Sequence, residues 1–193
     1  MFLYNKKFVF YYFALLFWIS FGGSAMAGET TLVSTQSNGY SGNGNSMFPI
    51  ISADGRYVAF TSAASNLVWG DKNGASDVFV HDLQTKKTTL ISVASDGTQG
   101  NRSSFAPSIS TDGRFVIFTS NSWNLVPNDN NVHGDVFVHD RQTKVTSRVS
   151  VSSTGQQGDE WSIVGKYSIS SDGRYLFFIS YSTNFYADDT RVC

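Results

Sequence analysis

Apolar residues along this chain come in short alternating runs, and no stretch after residue 27 repeats at helical spacing. "RYVAFTS" from Arg56, "SDVFVHD" from Ser76 and "TTLISV" from Thr88 are rich in β-branched and aromatic residues. Gly, Asp and Asn punctuate them, which is the signature of strands joined by tight turns. Four strands follow: a, the "IIS" after Pro49; b, residues 56–62; c, residues 76–82; and d, residues 88–93. Asp54-Gly55 makes the a to b hairpin, with glycine supplying positive φ, and "LQTKK" turns c into d. Strand b places Tyr57, Ala59 and Thr61 on one face and Val58 and Phe60 on the other. A sheet with one wet face would alternate apolar with polar, so this sheet is expected to be covered on both sides.

The same pattern returns. "ISADGRYVAFTS" at Ile51 recurs as "ISTDGRFVIFTS" at Ile109 and "ISSDGRYLFFIS" at Ile169, so that Asp54, Asp112 and Asp172 stand 58 and 60 residues apart. The copies extend through "SNLVWGDKNGASDVFVHD" from Ser65 and "WNLVPNDNNVHGDVFVHD" from Trp123. A fixed period of tens of residues signals stacked structural units. Four-stranded antiparallel meanders covered on both faces are the blades of a β-propeller; a β-sandwich, the other all-β solution, does not produce a four-strand period. The chain reads as a leading d strand at 30–34, a blade at 47–93, a second at 105–151 and a partial blade at 165–193.

The run P-x-I-S-x-D-G-R-Y-V-A-F-x-S resembles the WD-repeat-like propeller motif of the TolB family, which also occurs in propellers of the tricorn protease and prolyl oligopeptidase type. The resemblance covers roughly residues 30–180, with Ile51, Ile109 and Ile169 where a Trp often stands and Tyr167 in place of the proline. It implies a propeller and, by analogy, binding of a protein or cell-envelope partner without catalysis. The alternative is the propeller fragment of a larger peptidase-type hydrolase whose catalytic domain is absent. Propellers ordinarily have at least four blades, so an incomplete or truncated propeller is expected, or one completed by self-association through open blade edges.

Lys6 and Lys7 precede an uncharged apolar run, and Ala25 and Ala27 offer a small-residue cleavage site, so residues 1–27 are read as a secretory signal peptide. The run is too short to span a bilayer, and a periplasmic or secreted protein with no membrane span after cleavage is expected. Cleavage removes two lysines and no acid, taking the net charge from -1 to -3. An acidic balance without a basic stripe argues against a nucleic-acid partner. The one cysteine, Cys193, allows no intrachain disulfide.

Candidate chemistry is sparse. Asp71, Asn73 and Asp77 in one b to c loop, and Asp129, Asn131 and Asp135 in the other, are oxygen donors that calcium would accept. Asp and Asn also cap tight turns, and that reading is preferred, with no cofactor expected. His81-Asp82 and His139-Asp140 look like base and carboxylate, but neighbours on a strand point to opposite faces. No nucleophile elbow, zinc-protease or phosphate-loop motif occurs, and no enzyme activity is expected. Asp159, Glu160 and Trp161 belong to a segment unique to one copy and are the candidate partner contact.

Overall fold

The computed structural model describes residues 30–186 apart from 167 and 171. The expected signal peptide and the end of the partial blade, residues 187–193, lie outside the described residues. Strands β1 (Ser46–Ile51), β2 (Tyr57–Ser62), β3 (Asp77–Asp82) and β4 (Lys87–Leu90) form one antiparallel sheet in chain order. Strands β5 (Ser104–Ile109), β6 (Phe115–Ser120), β7 (Asp135–Asp140) and β8 (Val145–Arg148) form a second in the same order and register. Strands β9 (Ser162–Ile163) and β10 (Ile179–Ser180) pair as the start of a third, continued by the single pair Ile169 and Leu176. Among the described residues, no helix is long and apolar enough to cross a membrane.

The sequence places the first strand of each blade too late. Strand a begins at Ser46 and Ser104, ahead of the prolines, and takes Pro49 and Pro107 inside it. A proline cannot donate to a ladder and is tolerated in strands at edges and bulges. Here the register shifts between Met47 and Ile50, and between Phe105 and Ser108, with Phe48 and Ala106 turned to φ of 52° and 53°. At the other end, strand d closes earlier than expected, at Leu90 and Arg148. Residues 30–34 join no ladder; Thr35 instead pairs singly with Ser41. Among the described residues, no strand lies beside them to complete a sheet.

The central strands of each complete sheet are covered on both faces, as the apolar pattern of strand b requires. Val58, Phe60 and Phe79 pack with Val33 and Leu67 on one side of the first sheet. Ala59, Val78 and Val80 on its other side meet Val116, Phe118 and Phe137 of the second. The far face of the second sheet, Ile117 and Val136, meets Val164, with Leu176 and Phe178 alongside. The phenylalanines opposite each other across β2 and β3, and across β6 and β7, stack at 5.8 and 5.9 Å. On the third sheet, Tyr175, Phe177 and Ile179 remain exposed.

The repeated Asp-Gly hairpin also joins neighbouring blades. Gly113 has φ +71° and lies under the Tyr57 ring, where an added Cβ would come within 2.1 Å of a ring carbon; Gly173 lies under Phe115 in the same way, at 2.6 Å. Gly55 shares the positive φ, +74°, but its Cβ would meet nothing. A left-handed conformation costs an L-residue about 1–2 kcal/mol. Gly55→Ala should therefore destabilise by about that much, whereas Gly113→Ala should cost at least about 1 kcal/mol more through overpacking. Urea denaturation of the two variants measures the difference.

Candidate functional site

The b to c loop and the following d to a loop meet on one face, and there the candidate oxygen donors converge. Asp77, fully buried at the start of β3, accepts hydrogen bonds from the Ser92 hydroxyl at 2.6 Å and from the amides of Asn73 and Gln99, each at 2.9 Å. The same Gln99 amide donates to Asp71 at 2.8 Å. Backbone N–H groups fix which end of each amide faces inward: Ala75 donates to Asn73 Oδ1 at 2.9 Å and Lys72 to Gln99 Oε1 at 3.1 Å. The carboxylates are thus met by hydrogen-bond donors, the side-chain amides and the Ser92 hydroxyl.

The second blade repeats the network and adds a cation. Asp135 accepts from Ser150, Asn131 and Gln157 at 2.6, 3.3 and 2.8 Å, and Gln157 also donates to Asp129 at 2.7 Å. Arg148 Nη1 stands 3.2 Å from Asp129 and 3.6 Å from Asp135. Its counterpart in the first blade is Leu90, since Arg148 lies opposite Phe137 as Leu90 lies opposite Phe79. Without a cation, burial pushes the Asp77 carboxyl up to about 6. Burial also raises Asp129. The network closes on its own donors, and among the described residues no group of three or more His, Cys, Asp or Glu is placed to hold a metal ion. Millimolar calcium or a chelator should leave the melting temperature unchanged.

The histidines and arginines are engaged separately. His81 and His139 Nδ1 lie 2.9 and 2.8 Å from the hydroxyls of Thr88 and Thr146. These hydroxyls donate onward to the carbonyls of Thr35 and Val93, so each imidazole must be the donor to its threonine. Burial lowers both, His139 to about 4. Asp82 and Asp140 point the other way, to bidentate pairs with Arg56 (3.1 and 2.8 Å) and Arg114 (3.1 and 2.7 Å), which hold both carboxyls well below the usual range. The consecutive His and Asp therefore share no hydrogen bond.

These groups set a pH profile. The raised value of Asp77 means its protonated form favours the fold below about 3.8, an advantage lost as pH rises through about 6. The lowered value of His139 gives stability present above about 6.5 and lost as pH falls towards 4. The two slopes oppose between about 4 and 6. Asp82 and Asp140 lose their contribution only below the ordinary carboxylate range. The urea midpoint should vary little from about pH 4.5 to 6 and fall below 4. His139→Gln removes one arm, and its midpoint should decline as pH rises across that window.

A third repeated device ties loop to loop. Asn66, Asn124 and Asn184 donate to the carbonyls of Ser41, Gln99 and Gln157 at 3.1, 2.9 and 2.8 Å. Each also accepts from the backbone N–H of Asn43, Asn101 and Asp159. Asp159 belongs to this fastening, its carboxylate receiving the Thr183 N–H and hydroxyl at 2.9 and 2.8 Å. Glu160 and Trp161 stay at the surface: the Glu160 carboxylate is 3.7 Å from His133, and the Trp161 ring stands edge-on to His133 at 6.2 Å, over Gly134. Exposed Val132 lies on the same loop as His133. Sequence reasoning passed over Gln99, Gln157 and Arg148, whose side chains suggest no chemistry in isolation. It also passed over Trp69, which breaks the repeat by standing where the second copy has Pro127.

No protein-family model and no curated protein matches the chain. Solved structures do. TolB from Acinetobacter baumannii is 20% identical over 79% of this chain, with a TM-score of 0.45. The tricorn protease is 14% identical over 72%, with 0.46, and a prolyl endopeptidase 17% over 81%, with 0.49. The chain spans 29%, 11% and 21% of those proteins' lengths. Its two complete four-stranded meanders, packed face to face in chain order, make it an all-β array of propeller blades.

Proposed function

We propose that this chain is a non-enzymatic binding module that works outside the cytoplasm and presents its loop face to a protein or cell-envelope partner. The carrying observation is how the reactive side chains are used. His81, His139, Asp77, Asp135, Arg56 and Arg114 each sit in hydrogen bonds or ion pairs that recur from one blade to the next. Side chains that repeat in step with the architecture support it, whereas Glu160, Trp161 and Val132 neither repeat nor lie buried. Aromatic groups at a polar rim suit protein contacts. The likeness to TolB and the alanine-flanked leader fit a periplasmic or secreted location.

A photo-crosslinking residue at position 161, with a control at exposed Val145, the first residue of β8, tests this in cells. A discrete adduct from 161 and none from 145 supports the reading. Equal adducts from both, or none from 161, would overturn the contact. Peptide hydrolysis by the purified chain, lost in His139→Gln, would overturn the non-enzymatic part.

A further inference from the structure

We infer that Trp69 is the stacking platform of an oligosaccharide-binding site on the rim of the first blade, separate from the Trp161 contact. The Trp69 side chain is wholly exposed, at 102%. The other described tryptophans have partners: Arg102 lies over the Trp123 ring at 4.4 Å, and Trp161 packs on His133 and Gly134. Among the described residues, Trp69 has no such ring or cation partner. The fold does not need it, because Pro127 occupies the same position in the second blade within an otherwise equivalent loop. A large indole left in water contributes nothing to the core.

Two clefts share this ring. One, of about 710 Å³, is lined by Gln36, Asn38, Asp71 and Lys72; the other, of about 570 Å³, by Lys87, Asp96 and Lys144. Both are within the range of small-molecule sites, and with Trp69 between them they accommodate sugar units on either side of the ring. The first cleft keeps unused polar groups. The Gln36 side-chain amide and the Lys72 ammonium have no partner among the described residues, and Asp71 uses one oxygen on Gln99. Amides, one carboxylate and one ammonium around an exposed indole match a pyranose, which offers an apolar C–H face to stack and a rim of hydroxyls that both donate and accept. A nucleic acid would need a large excess of cations, whereas across the two clefts Lys72, Lys87 and Lys144 stand against Asp71 and Asp96, an excess of one. A purely apolar ligand would leave the amides unpaired.

The probes are cellotetraose, chitotetraose and a tetragalacturonate, titrated calorimetrically into the full chain, with the Trp69 indole N–H signal followed by NMR. The expected result is saturable binding of at least one of them that shifts this signal. Trp69→Ala, which removes no buried contact, should weaken that binding at least tenfold. Trp69→Phe, which keeps a ring, should recover part of it. Binding unchanged in Trp69→Ala, no binding of any probe, or a proline-rich peptide shifting the indole signal where the saccharides do not would each overturn the inference. The Trp161 crosslinking result does not bear on it.

Discussion

Phe118→Ala will destabilise the chain by about 3–5 kcal/mol, the cost of emptying a large aromatic site in a close-packed core. Phe118 is fully buried between the two complete sheets, stacked on Phe137 at 5.9 Å and packed in the cluster that holds Ala59, Val78 and Val80. Its loss acts on two elements at once. The cavity destabilises the second sheet and also removes part of the contact by which the first sheet leans on it. In arrays of this kind stability is the sum of each unit and its nearest-neighbour interface, so the urea transition should broaden as well as move. Tyr175→Ala, on the exposed face of the third sheet, is the control and should stay within about 0.5 kcal/mol. Equal losses from the two substitutions would mean that the interface between the sheets contributes little.

Arg148→Leu gives the second blade the residue of the first and should cost about 3–5 kcal/mol at pH 7, because it leaves Asp129 and Asp135 buried beside one another without their cation. The loss should shrink on acidification. In the variant the Asp129 carboxyl, already raised by burial, is no longer pulled down by Arg148, so it takes up its proton more readily in the folded chain than in the unfolded one and stability is regained as pH falls. A loss that stays constant between pH 7 and 5 would mean that the packing of the arginine stem, not its charge, was missing. Leu90→Arg is the mirror experiment: it should bring the Asp77 carboxyl down from about 6 towards its ordinary range, followed by NMR titration.

The strands and their faces were legible because a strand writes its period into the side chains, and three copies of "ISxDGR" confirm the reading three times over. The start of strand a was not. Pro49 and Pro107 read as boundaries, and only the bulge that turns Phe48 and Ala106 to positive φ lets the strand run through them. The oxygen donors of the loops, Asp71, Asn73 and Asp77 included, were visible in the sequence. Their partners were not, since Gln99 comes from a loop 22 residues further on than Asp77. The difference between Leu90 and Arg148 is a single letter on strand d, and it acquires meaning only when the b to c loop folds beside it. Glu160 and Trp161 were singled out by the absence of repetition, and the same criterion applied to Trp69 and Pro127 would have found the rim clefts.

The asparagines at 66, 124 and 184 have a consequence for how such a chain can change in length. Each stands in the b to c loop of its own blade and holds the loop that enters that blade from the one before, through bonds made largely to backbone groups. A segment of about sixty residues therefore carries one half of a joint at each end, and the two halves fit any other copy. Duplication or loss of a whole segment leaves matched ends behind, so the number of units can drift over evolutionary time while every junction stays sound.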